Sequence, residues 1–359
     1  MNILLTTYQG GMAGSTYSIS YLAKGLAERG HRVVVAGKAG TLLFQLLQNA
    51  PVQLIDLPFR SKVDWHTVRK LRDIVYEYDI QMINAQSSYD RYLTIFARWY
   101  YRLNVKVVHT RRNGPKSIGG WLHNTFYIRG TDRIIVTSNE QKRIFIKLGY
   151  PDHHLYVIHN GTPAENYRID EAEVTALRQR FDIHPTDVVV GCVSRMKQQD
   201  QLIAAMPYLD PTIKVLFVGI EPGSLDEAVA QHAVTNQIVY TGKLDRADTI
   251  AAYRLMNVHV LPSDEEGFGL VVIEAMGTGT PSIGTNSGGI KDIIRDSVNG
   301  MLFTNYDAQD LAEKIRRVLE DASLRARLIE NGKQTALHEF SIEKTVAHYE
   351  AFFQELINE

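Results

Sequence analysis

The feature that most constrains this chain is an alternation of short apolar runs with helical periods, and the alternation occurs twice. Residues Asn2–Thr6 read as a buried strand, and a glycine-rich stretch, Gly10-Gly-Met-Ala-Gly14, follows. Over 15–28 the apolar residues Ile19, Leu22, Ala23 and Leu26 recur with the helical period, and Gly30 suits the cap beyond them. Strand-like runs continue at 31–36, 52–55, Met82–Ala85, 106–109 and 133–137. A second series has runs at 187–194, Lys214–Val218, 237–240, Val258–Leu261 and 281–284, with helices at 200–206 and 248–255 between them. Such a chain buries both faces of a parallel sheet by covering each with helices. The reading is α/β: two doubly wound domains, 1–165 and 166–340, with a helical tail over 308–359. The polar stretch 162–173, carrying Pro163, marks the boundary.

Composition narrows the function classes. With 359 residues, 45% hydrophobic and 22% charged, the chain can fill sizeable cores, which excludes disorder and collagen-like arrays. Lys+Arg 39 against Asp+Glu 40 is not the balance of a nucleic-acid coat, and no nucleic-acid partner is expected. The single cysteine, Cys192, excludes an internal disulfide and a multi-cysteine zinc site, and fits a reducing compartment. No apolar run approaches the ~18–20 residues of a membrane span. The apolar start ends at Thr6 with no basic residue before it, so no signal peptide is expected and a cytoplasmic location is.

Charge is uneven. Residues 91–147 hold twelve basic side chains against Asp132 and Glu140, a local charge of +10, together with Trp99, Tyr100, Trp121 and other aromatics. A basic, aromatic face suits an anionic membrane surface or an anionic acceptor. The alternative is dispersed solvated charges with core aromatics.

Two loops carry candidate chemistry. Gly11 and Gly14 lie where a strand gives way to a helix, so an anion or a sugar could approach the backbone closely; the alternative is a structural turn. Gln9 stands where a dinucleotide fingerprint has its first glycine, and the second strand ends Ala36-Gly37-Lys38 without a ribose-binding acid, which argues against an NAD dehydrogenase. The second loop follows Leu261-Pro262 and carries Glu266 and, eight positions on, Glu274. Eight positions at helical rise span at most ~12 Å, about the reach needed to hold a sugar with one carboxylate and a ribose with the other. The N–H groups of Phe268, Gly269 and Leu270 would then face the diphosphate between them. Anonymous acids at this spacing are usually a solvated helix face.

The run Glu266-Gly-Phe-Gly-Leu270, Glu274-Ala-Met276, Gly279-Thr-Pro281, Asn286-Ser-Gly-Gly289 and Asn299-Gly-Met-Leu-Phe303 resembles the retaining nucleotide-sugar glycosyltransferases of family 4. Weaker matches run through the rest: the glycine-rich start, His31-Arg-Val-Val34, Asn160-Gly161, Ser194-Arg195 and Tyr240-Thr-Gly242. The resemblance implies a GT-B fold, two facing Rossmann-like domains with donor held mainly by the second and acceptor by the first, and a last helix within 341–359 that crosses back to the first domain. It implies that Glu266 contacts the donor sugar, Glu274 the ribose, and Arg195 the leaving diphosphate. The partnering lysine is Lys197 if the loop after Arg195 is about three residues shorter than the family's; otherwise Lys197 is a solvated loop lysine. His109 matches a histidine beside the transferred sugar, and Gln86 stands where many relatives have another histidine. Asn160-Gly161 reads as the interdomain turn. Ser287 and Gly288, opening a helix over 290–295, could approach the donor through backbone.

The resemblance also implies retention of anomeric configuration, by front-face attack in which the leaving phosphate takes the acceptor's proton. No D-x-D triplet occurs in the chain, so neither metal nor cofactor is expected. The expected donor is a UDP-sugar, with GDP as the main alternative. The expected acceptor is a saccharide or lipid-linked hydroxyl, in polysaccharide or lipopolysaccharide biosynthesis, with peripheral membrane contact through 91–147. A sugar-nucleotide epimerase and a noncatalytic nucleotide-sugar-binding subunit are the alternatives.

Overall fold

The computed structural model describes residues 1–112, 120–264 and 266–359. The chain divides into two units, Met1–Gly161 with Ile342–Glu359, and Thr162–Ser341.

The N-terminal unit is built on strands β1 (Asn2–Thr6), β2 (Arg32–Gly37), β3 (Gln53–Asp56), β4 (Met82–Ala85), β5 (Lys106–Arg111), β6 (Arg133–Val136) and β7 (Leu155–Val157). They are parallel, in the order β3-β2-β1-β4-β5-β6-β7. The register sets Ile3 beside Val33 and Met82, so like-facing residues form two separate cores. Ile3, Leu5, Val33, Val35 and Met82 meet one helical layer; Leu4, Val34, Ala36 and Ile83 meet the other. That explains why β2 reads as an unbroken Val-Val-Val run rather than an alternation: both faces are dry.

The first layer contains the helix Gly14–Glu28 and, from the far end of the sequence, Ile342–Asn358, which buries Val346, Tyr349, Phe352, Phe353 and Leu356 there. Gly25 makes the fit possible, because a Cβ there would lie 2.5 Å from Val346 Cγ2. Each fully buried residue of this face contributes roughly 1.5–3 kcal/mol of transfer free energy.

The C-terminal unit repeats the plan with β8 (Val189–Val193), β9 (Lys214–Val218), β10 (Ile238–Tyr240), β11 (Val258–Leu261), β12 (Ser282–Thr285) and β13 (Met301–Phe303), in the order β10-β9-β8-β11-β12-β13. In both sheets the strand order reverses beside the first strand, between β1 and β4 and between β8 and β11.

Several sequence expectations are corrected. Strands β7 and β13, three residues each, were not foreseen. His109 is not the end of its strand, because β5 continues to Arg111 and pairs Arg111 with Val136. The expected helix over 290–295 is instead a 3₁₀ turn, Gly288–Asp292, whose Ile290 is held in the core. The helical tail is broken at Asp321, whose side chain accepts from Leu324 N–H at 2.9 Å and so starts a new helix, Ala322–Gln334.

Candidate active site

Strands β8, β11 and β12 are neighbours and parallel, so their carboxyl ends share one edge of the C-terminal sheet, at its reversal point. Ligands of open α/β sheets gather at such a crevice. The loop after β8 carries Arg195 and Lys197. Gln199, buried, ties that loop together: its Nε2 donates to Arg195 O at 2.9 Å and Ser194 Oγ at 2.5 Å, and its Oε1 accepts from Lys197 N–H at 2.6 Å. The Arg195 guanidinium is exposed and holds no ion pair among the described residues. Lys197 Nζ forms an ion pair with the carboxylate of Glu266, from the loop after β11.

Beyond Glu266, Gly269 adopts φ +104°, a conformation that side chains resist, and the helix Leu270–Gly277 begins. Gly269 offers no side-chain acceptor; Val272 N–H donates to Gly269 O at 2.9 Å, and the N–H groups of Leu270 and Val271 ahead of it are left for solvent or an anion, with the positive end of the helix behind them. Phe268 contributes backbone to this loop; its ring is buried, edge-to-face on Phe340 at 5.5 Å.

The loop after β12 clamps the same segment. Gly289 N–H donates to Glu266 O at 2.8 Å, and a Cβ on Gly289 would lie 2.4 Å from Gly267 O. Gly288 sits at φ +58°, with Glu266 O 2.8 Å from where its Cβ would be. Ser287 Oγ and Asp264 Oδ1 are buried without a hydrogen-bond partner among the described residues.

Glu274 is not a solvated surface acid. It is 6% exposed, ion-paired with Arg246 at 2.7 Å, and accepts from Tyr253 Oη–H at 3.1 Å. Burial, and then the carboxylate beside it, hold the Tyr253 phenol well above its usual value, so it remains a donor. Sequence reasoning missed Arg246 and Tyr253. They lie on the helix Arg246–Tyr253, and nothing local in the sequence pairs them with position 274.

In the N-terminal unit, Gly14 opens the first helix, and Gly11 O accepts from Thr16 Oγ1 at 2.6 Å. A Cβ on Gly11 would meet nothing within 4 Å, so no protein neighbour requires glycine there. His109 is fully buried with both ring nitrogens unpartnered among the described residues. Burial, then Arg91 and Arg111, push its pKa well below the usual value, so the ring is neutral. Gln86 Oε1 accepts from Arg112 at 2.5 Å. Asn160 is buried, and the division between the units falls just after Gly161.

Several basic side chains of the segment 91–147 are paired or buried. Arg98, Arg133, Lys142 and Arg143 pair with Asp132, Glu359, Asp152 and Glu140. Arg91 is buried, and Arg111 and Arg112 are half-buried. Lys116 lies outside the described residues. Trp99, Tyr100 and Trp121 are exposed. Among the described residues no three His, Cys, Asp or Glu side chains converge as a metal ion needs, and no helix is long and apolar enough to cross a membrane.

The model of glycosyl transferases group 1 matches residues 178–335, and that of Glycosyltransferase Family 4 matches 12–166. The chain belongs to the group 1, family 4 glycosyltransferases. The chain is 26% identical over 247 residues to D-inositol 3-phosphate glycosyltransferase of Xylanimonas cellulosilytica, a match covering 65% of this chain and 59% of that protein. It is 22% identical to N-acetyl-alpha-D-glucosaminyl L-malate synthase of Bacillus anthracis, across 100% of this chain and 98% of that one. Its fold is GT-B: it superposes on Anabaena HepE in complex with UDP-glucose with TM-score 0.83 at 22% identity, covering 99% of this chain and 100% of that chain.

Proposed function

We propose that this enzyme transfers a sugar from a UDP-sugar, with retention and without a metal, to a hydroxyl of a saccharide or lipid-linked acceptor in polysaccharide or lipopolysaccharide biosynthesis. The observation that carries the reading is the convergence of Lys197, Glu266, the Leu270–Gly277 helix start and Glu274 at one sheet edge. HepE binds UDP-glucose on the same fold, which supports the donor.

Glu274 holds the ribose hydroxyls. Each of its oxygens accepts one protein donor, which leaves lone pairs for two more. The first-turn N–H groups at Gly269 and Leu270 face the diphosphate. Arg195 and Lys197 neutralise the charge that develops on it as the anomeric bond breaks, carried on a loop whose backbone Gln199 holds. Lys197 exchanges Glu266 for the diphosphate when donor arrives, and this frees Glu266 to bind sugar hydroxyls. Ser287 and Gly288 hold the loop and offer close backbone. In the N-terminal unit, Gly11 and Gly14 admit substrate against backbone, and His109 offers a neutral imidazole. The leaving phosphate takes the proton of the acceptor hydroxyl, so no protein nucleophile is needed. The enzyme works at the cytoplasmic membrane face, with the basic segment 91–147 and its exposed Trp99, Tyr100 and Trp121 in peripheral contact.

The test is a nucleotide-sugar panel followed by thermal shift, since a ligand at 100 times its Kd stabilises by about 2.7 kcal/mol. UDP-sugars are expected to raise Tm in EDTA, and the transferred sugar to keep its anomeric configuration by proton NMR. An inverted product would remove the mechanism. Failure of every nucleotide to stabilise the chain would remove the donor site.

A further inference from the structure

Outside the donor loops, the densest unexplained chemistry lies in the N-terminal unit, at the carboxyl edge of β4 and β5, beside the point where the strand order reverses. Arg91 comes from the helix Ser88–Tyr101 that follows β4; Arg111 ends β5 and Arg112 follows it. Arg91 feels both of the others as positive neighbours. None of the three forms an ion pair within 4 Å among the described residues. Arg91 instead donates to the carbonyls of Thr110 at 2.8 Å and Gln86 at 3.2 Å, and Arg112 to Gln86 Oε1. Arg111 stacks over Tyr127, its guanidinium carbon 4.6 Å from the ring centroid. The Nε–H of all three is buried and has no partner among the described residues.

The carboxylate acting on Arg91 is Asp90; one of its oxygens is already committed, and Oδ1 is buried with no partner among the described residues. Its Oδ2 accepts from the N–H groups of Gln86 at 2.8 Å and Ser87 at 2.9 Å, capping the helix. Burial also pushes the Asp90 carboxyl up and Arg91 down, to about 9. Three guanidinium groups therefore share a poorly hydrated edge with at most one negative charge, an arrangement that costs stability unless an anion completes it. Arginine forks match planar or tetrahedral oxyanions by paired N–H bonds.

We infer that Arg91, Arg111 and Arg112 form an oxyanion subsite that holds a phosphate or carboxylate carried by the acceptor. This rests on the reading above that the N-terminal unit takes the acceptor. The anion belongs either to a small soluble acceptor or to the phosphate of a lipid-linked one, and the subsite's chemistry is the same for both.

The experiment uses the full chain and measures inorganic phosphate and UDP separately by calorimetry, in wild type, Arg111→Gln and Arg112→Gln. Phosphate is expected to bind wild type and to weaken about tenfold or more in each variant, the effect of losing one hydrogen bond to a charged group. UDP affinity reports on the donor site and on folding, and is expected to stay within twofold. Phosphate binding that is unchanged in both variants, or that UDP abolishes by competition, overturns the inference. Phosphate loss in the variants with no UDP binding in any protein leaves the oxyanion subsite standing and sinks the donor reading instead. Turnover then compares a sugar alcohol with its monophosphate, a hydroxy acid with its amide, and a detergent-dispersed lipid diphosphate sugar. The charged member of a pair, or the lipid diphosphate alone, is expected to react at least tenfold better in kcat/KM. Arg111→Gln is expected to erase that advantage by raising KM rather than lowering kcat. Equal use of charged and neutral acceptors overturns the inference.

Discussion

Replacing Glu274 by Gln isolates what its charge does. In the free chain the carboxylate accepts from Tyr253 on one oxygen and pairs with Arg246 on the other. The amide keeps one acceptor and the shape, but it loses the negative charge and turns one oxygen into a donor facing a guanidinium. The structural cost follows from taking the carboxylate away from Arg246. A fully buried broken pair costs about 3–5 kcal/mol, but the Arg246 side chain is 28% exposed, so water takes over part of the solvation and about 1–2 kcal/mol is expected. The cost in binding is separate. Ribose hydroxyls donating to a carboxylate gain about 1.5–3 kcal/mol each, and the amide should lose at least one such contact, so UDP affinity should fall about 10- to 100-fold. Urea unfolding measures the first quantity and calorimetric titration with UDP the second. Arg246→Met combined with Glu274→Gln removes the cation as well as the carboxylate and should recover stability without recovering UDP affinity. If Glu274→Gln folds and binds UDP as wild type does, the carboxylate does not hold the ribose and the reasoning fails.

Three further outcomes are expected. Lys197→Ala should raise the donor KM about tenfold and lower kcat as well, because the lysine is assigned to the leaving diphosphate; unchanged steady-state kinetics would reassign it to the loop. Gly289→Ala places a methyl against the backbone of Gly267 and Phe268, so a loss of about 1–3 kcal/mol and weaker UDP binding should appear together in thermal-shift titrations. His259 is fully buried, and burial pushes its pKa down to about 3. Below pH ~6.5 the unfolded chain takes up a proton that the folded chain refuses, so stability falls with pH, by about 2 kcal/mol at pH 5. His259→Leu should flatten that part of the pH 7-to-5 loss in urea midpoints; a parallel loss in wild type and variant would show that this ring is not responsible.

Legibility in the sequence followed locality. The buried strands announced themselves because a parallel sheet covered on both faces demands unbroken apolar runs, as in β2 and β8. The turn at Gly269 was legible because glycine is the residue that accepts its φ. Arg246 was not, since its pairing with Glu274 depends on how two helices pack rather than on any spacing. The arginines were visible only as part of a basic run. Their sequence neighbours do not distinguish Arg98, which pairs with Asp132, from Arg91, which is turned inward at a sheet edge.

The helix Ile342–Asn358 completes the N-terminal unit from the opposite end of the sequence. During synthesis, the half of the chain made first must therefore wait while the whole intervening unit emerges from the ribosome. Until then the apolar stripe of Ile19, Leu22 and Leu26 lacks its final cover and stays open to chaperones. A truncation near residue 341 should accordingly injure the half of the molecule farthest from it in sequence, leaving the sheet of β8 to β13 the more resistant to proteolysis.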